Sequence, residues 1–361
     1  MDIEDNTDAL RLRSALELLL AALASLLETL GEMIEKYADL PLMAFTHLQP
    51  AEPSTLGYRL AFYGQDLLED FNAISAQRAA IHGKGFKGAV GTSAAYAELI
   101  GVEKLSEFEL KLSARLDLPF FPVTSQVYPR KQDYNVVSTL AGLGASLYKF
   151  AIDLRLLQSP LLGEWSEPFG EKQVGSSAMP FKRNPIRAEK INSLARYLAA
   201  LPRIAWDNAA HSLLERTLDD SANRRTALPE AFLCADELLM TAQRLIKGLV
   251  IDETSIARNF AVYAPFAATE RLLMAAVKAG ADRQELHEVI REHSMQAWAE
   301  VKAGRANPLI DALCADERIT RHLDPQTAHS LLDARDYVGD APQRARWIAK
   351  KIRGLPTRVC A

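Results

Sequence analysis

Residues 12–33 read LRSALELLLAALASLLETLGEM, and their spacing decides the fold class. Leu12, Leu16, Leu19, Leu23, Leu26, Leu30 and Met33 recur in steps of three and four, which places them on one stripe of a long helix. Leu18, Leu20 and Leu27 widen that stripe. Glu17, Ser25, Glu28 and Thr29 interrupt the run, so it does not read as a membrane span. Asn6 or Thr7 is suited to cap its start, and Pro41 lies just past its end.

The same period recurs along the chain. Ser54 or Thr55 opens a second helix that runs to the neighbourhood of Ile81, and the Gly- and Lys-rich stretch 82–92 reads as a loop. A third helix spans Lys131 to Gln158 and stops before Pro160. Asn184 and Pro185 form an N-cap followed by a first-turn proline, and the fourth helix they open reaches His211. A fifth runs from Pro229 to Leu249. Spacing changes near Asp252: residues 250–266 read as a junction, with shorter helices beyond. The expectation is an all-α protein, with a central long-helix bundle over residues 1–251 and a smaller helical domain over 252–361. So much apolar face exceeds what one five-helix bundle covers, which predicts helices pooled from several subunits. The alternative is that the extra leucines pack within the chain.

The net charge of −4 gives no reason to expect a nucleic-acid partner. Charge is uneven, however. Residues 172–225 hold ten Lys/Arg against five Asp/Glu, a basic island in an otherwise acidic chain. Such an island suits an anionic small molecule, or is a solvated helix face. Cys234, Cys314 and Cys360 have neither disulfide nor metal-ligand spacing. The acidic, polar start Met1 to Asn6 is no signal peptide, so a cytoplasmic location is expected.

Four segments carry possible chemistry. Gly175-Ser176-Ser177-Ala178-Met179-Pro180-Phe181-Lys182-Arg183-Asn184-Pro185 joins two hydroxyls and two cations to a helix N-terminus, an arrangement that attracts anions. Lys182 could also help to lower a serine hydroxyl's pKa. The other reading is a capped, basic connection. Residues 215–225, Glu215 to Arg225, hold Arg216, Arg224 and Arg225 with Ser221, and arginine's planar fork suits carboxylate and phosphate. A surface salt-bridge network would look the same. Phe45-Thr46-His47-Leu48-Gln49-Pro50 places a histidine in a turn between helices, and Ser125 to Arg130 holds Gln126, an amide that could read a substrate. His82, His211, His287, His293, His322 and His329 have no comparable setting.

Together these segments resemble the fumarase/aspartase superfamily, whose signature loop the 175–185 run is similar to. Thr46-His47-Leu48-Gln49-Pro50 and the 215–225 segment look most like the adenylosuccinate lyases within it, and the likeness covers essentially the whole chain. Relatives of that kind carry a further domain ahead of the position matching Asp5, with another active-site histidine and nucleotide contacts. The resemblance implies a bundle of the fumarase/aspartase type and an anti elimination that releases fumarate. It implies Ser176 as general base, His47 as general acid oriented by Glu189, and Lys182 and Asn184 beside the developing negative charge. It further implies substrate contacts from Thr46, Gln126, Ser177, Lys190 (arginine in some relatives), Arg216, Ser221 and Arg225. The expected substrate is a succinylated purine nucleotide, and the expected assembly is a homotetramer with active sites shared between subunits. No metal or redox cofactor, no nucleic acid and no membrane is implied. The competing expectations are a sister enzyme such as an argininosuccinate lyase, or a helical scaffold without activity.

Overall fold

The computed structural model describes residues 1–170, 179 and 181–355. The first helix, α1 (Asp2–Lys36), buries Leu12, Leu16, Leu19, Leu20, Leu23, Leu26, Leu27 and Leu30, each 5% exposed or less. By length and composition α1 could cross a membrane, yet these leucines form the centre of a protein core. Of the three leucines that widen the stripe, Leu20 and Leu27 pack within the chain and Leu18 stands in solvent. Asn6 and Thr7 lie inside α1 rather than capping it. The helix gains a further turn because Asn6 bonds across to the backbone of Gly85 instead of closing its own N-terminus.

A β-hairpin follows, β1 (Pro41–Thr46) and β2 (Gln49–Thr55), where a turn between helices was expected. Thr55 then caps α2 (Leu56–Ala79) by accepting from the Tyr58 N–H. Gly57 lets α2 approach the end of α1, since a Cβ there would sit 2.5 Å from the Ala38 Cα. Two short helices, α3 (Ala94–Ile100) and α4 (Leu105–Leu116), lie in the connection to α5 (Lys131–Leu157). A two-residue strand, β3 (Trp165–Ser166), precedes α6 (Ile186–Ala210), whose N-cap is Pro185 rather than Asn184.

The next helix, α7 (Asp219–Lys247), starts ten residues before the expected Pro229 and carries that proline inside it. Ion pairs from Asp220 and Arg224 to the start of α5 anchor the extra turns, and this tertiary hold outweighs the helix-breaking tendency of proline. The expected junction at 250–266 is also helical. After β4 (Val250–Ile251), which pairs with β3, Asp252 caps the 26-residue α8 (Glu253–Lys278). Then come α9 (Arg283–Lys302), α10 (Leu309–Ala315), α11 (Glu317–Thr320), α12 (Pro325–Leu332) and α13 (Ala341–Arg353).

Apolar burial forms two cores. One joins α1, α2, α5, α6 and α7 and takes in Ala345, Ile348, Ala349 and Ile352 of α13. The other gathers α8 to α12 and includes Met43 of the hairpin. Because the bundle helices alternate in direction, the molecule has two distinct ends. At one end lie the hairpin, the start of α2 and the start of α6. Arg59 of α2 donates to the Met43 carbonyl at 2.7 Å and to Glu164 at 2.6 Å, and Gln158 after α5 donates to the Arg183 carbonyl at 2.9 Å. At the other end lie the starts of α1, α5 and α7. There Arg130 joins Asp5 to Asp220, and the Gln126 N–H donates to the Glu215 carbonyl at 3.2 Å.

Candidate active site

At the hairpin end, Thr46 pairs with Gln49, so His47 and Leu48 alone make the turn. Both have left-handed backbones, with φ of 53° and 59°. A two-residue hairpin favours this geometry, but normally with Asn-Gly, because a Cβ is strained there. The result is an imidazole held out in solvent at the tip of a fixed element. Phe45 braces the hairpin from below, with its ring edge-on to Tyr263 of α8, which in turn meets Trp298 of α9.

Gly175, Ser176 and Ser177 lie outside the described residues, so the geometry at this end is that of the loop's flanks. Two readings were open for the start of α6, a site for an external anion or a capped, basic connection. It holds an internal anion. The Glu167 carboxylate accepts from the Ala188 N–H at 2.6 Å and the Arg187 N–H at 3.2 Å. A buried carboxylate satisfies the helix terminus just as a ligand would. Burial pushes the Glu167 carboxyl above its usual range, against the pull of those two N–H bonds. Gln158 adds a second tie, accepting from the Glu167 N–H at 3.0 Å, and the Arg183 guanidinium sits 5.3 Å over the Phe169 ring. These contacts tie residues 167–169 to Gln158, Arg183 and the start of α6.

Lys182 is exposed and has no ion-pair partner within the described chain, and Asn184 is half-buried. Glu189 is exposed on the first turn of α6 and makes no hydrogen bond or ion pair with His47 of the same chain. Lys190 is engaged by Glu237 of α7 at 2.5 Å. Most of the basic island is paired in this way: Arg203 with Asp207, Arg216 with Asp220, Arg224 with Asp133 and Asp8. Lys182, Arg183, Arg196 and Arg225 remain exposed without a carboxylate among the described residues.

The opposite end brings Gln126, Arg216, Ser221 and Arg225 together. The Gln126 backbone bonds to Glu215, the neighbour of Arg216, while Ser221 and Arg225 stand on the first turns of α7. Arg216 donates to Asp220 at 2.7 Å, and its buried Nε has no hydrogen-bond partner. Burial alone would raise the Asp220 carboxyl, but Arg130 and Arg216 outweigh it and hold the group below its ordinary value. Arg224, for which substrate contact and structure were both open, is structural: it bonds Asp133 at 2.6 Å, Asp8 at 2.6 Å and the Tyr128 hydroxyl.

Gln126, Arg216, Ser221 and Arg225 therefore share one end of the bundle, and His47, Lys182, Asn184 and Glu189 share the other. The 25 residues of α6 separate them by about 37 Å at 1.5 Å per residue. Sequence reasoning missed Glu167, Arg130 and Asp5. An acid 19 residues before the helix start it closes, and charges from three distant segments, leave no local signal. Among the described residues no group of three or more His, Cys, Asp or Glu side chains is placed to hold a metal ion.

Comparison with known proteins is consistent with this architecture. Residues 2–198 match a family described as "Lyase", and residues 265–346 match "Adenylosuccinate lyase C-terminus". The adenylosuccinate lyase of Schizosaccharomyces pombe is 41% identical over 357 residues, covering 97% of this chain and 72% of the relative. That of Archaeoglobus fulgidus is 30% identical, over 98% of this chain and 78% of the relative. A solved 3-carboxy-cis,cis-muconate lactonizing enzyme from Pseudomonas putida superposes with a TM-score of 0.85 at 26% identity, covering 98% of this chain and 76% of that one. A class II fumarase from Schistosoma mansoni, at 18% identity and a TM-score of 0.72 over 94% of this chain and 70% of that one, shares the fold. With the family match, the full-length relatives and the helical architecture in agreement, this chain belongs to the adenylosuccinate lyase family.

Proposed function

We propose that this chain is a C–N lyase that cleaves adenylosuccinate to AMP and fumarate. The same chemistry would act on succinylaminoimidazole carboxamide ribotide, giving aminoimidazole carboxamide ribotide and fumarate. The observation that carries this reading is the likeness to adenylosuccinate lyases along almost the whole chain. The arginine cluster at the start of α7 supports a phosphorylated substrate, because Arg216, Ser221 and Arg225 flank a helix N-terminus whose dipole favours an anion.

In the proposed reaction Ser176 removes a proton from the succinyl carbon. The electron pair delocalises into the adjacent carboxylate, where Lys182 and Asn184 meet the growing negative charge. His47 protonates the departing nitrogen, the C–N bond breaks, and fumarate leaves. Glu189 supports the charged form of His47. Gln126 hydrogen-bonds the succinyl group, with Thr46, Ser177 and Lys190 as further contacts, and Arg216, Ser221 and Arg225 take the phosphate.

The site is composite in this reading, built from several copies of a cytoplasmic homotetramer. The separation of the two residue sets by the length of α6 supports it, since a nucleotide is far shorter than that helix. Antiparallel copies packed side by side would put the α7 start of one against the loop and hairpin of another. Exposed Leu156, Tyr197, Leu233 and Met240 on α5, α6 and α7 offer apolar surface for such packing.

The test is to incubate the purified chain with adenylosuccinate, and separately with argininosuccinate, and detect fumarate by NMR. Fumarate from adenylosuccinate alone, abolished by Ser176→Ala, is the expected result. Fumarate from argininosuccinate would overturn the substrate assignment.

A further inference from the structure

We infer that Asp220 and Arg130, braced by Asp5, are positioning residues that fix the Arg216 guanidinium at the anion subsite beginning α7. The inference rests on the reading of Arg216 as a phosphate contact given above.

Arg216 lies in the connection before α7, where a long side chain would ordinarily be free to sample many rotamers. Here its Nη1 donates to the Asp220 Oδ1 at 2.7 Å. The other oxygen of Asp220 is not free to follow a moving arginine. Oδ2 accepts from Arg130 Nε at 2.7 Å. Arg130 is held in turn, its two terminal nitrogens bracketing Asp5 at 3.2 and 3.3 Å. Asp5 also accepts from the Tyr128 N–H at 2.7 Å. Asp5, Arg130 and Asp220 are each 5% exposed or less, so water does not loosen the chain of contacts.

Asp5 thus holds Arg130, Arg130 holds the Asp220 carboxylate, and that carboxylate faces Arg216. The Nε of Arg216 is itself buried and has no hydrogen-bond partner. Buried ion pairs contribute little net stability compared with apolar packing, so their retention needs a different reason, and orientation of Arg216 supplies one. The neighbouring buried set is a built-in control. Arg224 with Asp133, Asp8 and Tyr128 has the same chemistry and meets the first set through Tyr128, yet makes no hydrogen bond to Arg216 or Asp220.

The experiment compares the affinity of AMP and adenosine, by calorimetry on the full chain, for the wild type, D220N and D133N. Adenosine lacks the phosphate that Arg216 is placed to meet. The expected result is AMP affinity about tenfold weaker in D220N with adenosine affinity unchanged, and neither ligand selectively affected in D133N. KM for adenylosuccinate should rise in D220N more than kcat falls. If D220N does not fold, R130K, which keeps the charge but loses the fork, should show the same split more weakly. Equal effects of D220N and D133N, no effect of D220N on AMP, or a wild type that binds AMP no better than adenosine would each overturn the inference. A wild type that releases no fumarate, but binds AMP in a D220N-sensitive way, would overturn the lyase reading alone.

Discussion

His47 and Leu48 occupy the backbone region that L-residues rarely adopt, and nothing in the hairpin's own stability calls for either side chain there. Such strain persists where a function depends on what the residue presents. Leu48→Gly should therefore raise stability by about 0.5–1 kcal/mol, read as a higher unfolding midpoint in denaturant. His47→Asn combined with Leu48→Gly makes the favoured hairpin turn and should be more stable still, with fumarate release lost. An unchanged or lower midpoint for both would show that the turn is not strained. At this scale His47 was legible only through the family likeness. Its position was not, because Pro41, Pro50 and Pro53 mask the alternation that marks a hairpin.

Two contacts between elements decide how firmly the bundle is built. Glu167 closes the start of α6, and Glu167→Ala should cost about 1–2 kcal/mol by exposing the helix N–H groups it satisfies. The same change should reduce turnover, since it frees the base of the loop that carries Lys182. Asp70 marks a weaker seam between α2 and α5. Burial pushes its carboxyl up to about 6; Asp66 and Glu69 add to the rise and the Ser146 hydroxyl opposes it. One of its oxygens is buried without a partner. The folded protein therefore holds this proton more tightly than the unfolded chain does. The associated stability is complete below about pH 4 and is lost as pH rises through about 6. Asp70→Asn should raise stability by about 1 kcal/mol at pH 7.5 and leave it unchanged at pH 4. Equal melting shifts at the two pH values would refute this account of the seam.

The long helices were legible because leucine spacing is a local property. α5 ends within one residue of its expected limit and α6 starts one residue past its own, while α2 stops two residues early. The start of α7 and the continuity of α8 were hidden by Pro229 and Pro265, which the helices carry because ion pairs and core contacts hold them in place. The candidate site was legible as residue types but not as a place. Nothing in the spacing of His47, Gln126 and Arg216 announces that they lie at opposite ends of the bundle. That separation follows from the alternating directions of α5, α6 and α7, a property of the whole molecule.

If each proposed site takes its base loop from one copy and its arginine cluster from another, two differently damaged chains should repair each other. The decisive measurement mixes inactive Ser176→Ala and Arg225→Ala chains, unfolds and refolds them together, and follows fumarate release from adenylosuccinate. Sites assembled with the intact loop of one variant and the intact arginine of the other should recover a measurable part of wild-type activity, absent when either variant is refolded alone. No recovery, with mixed assembly verified by differently tagged chains, would contradict a site shared between copies of this chain.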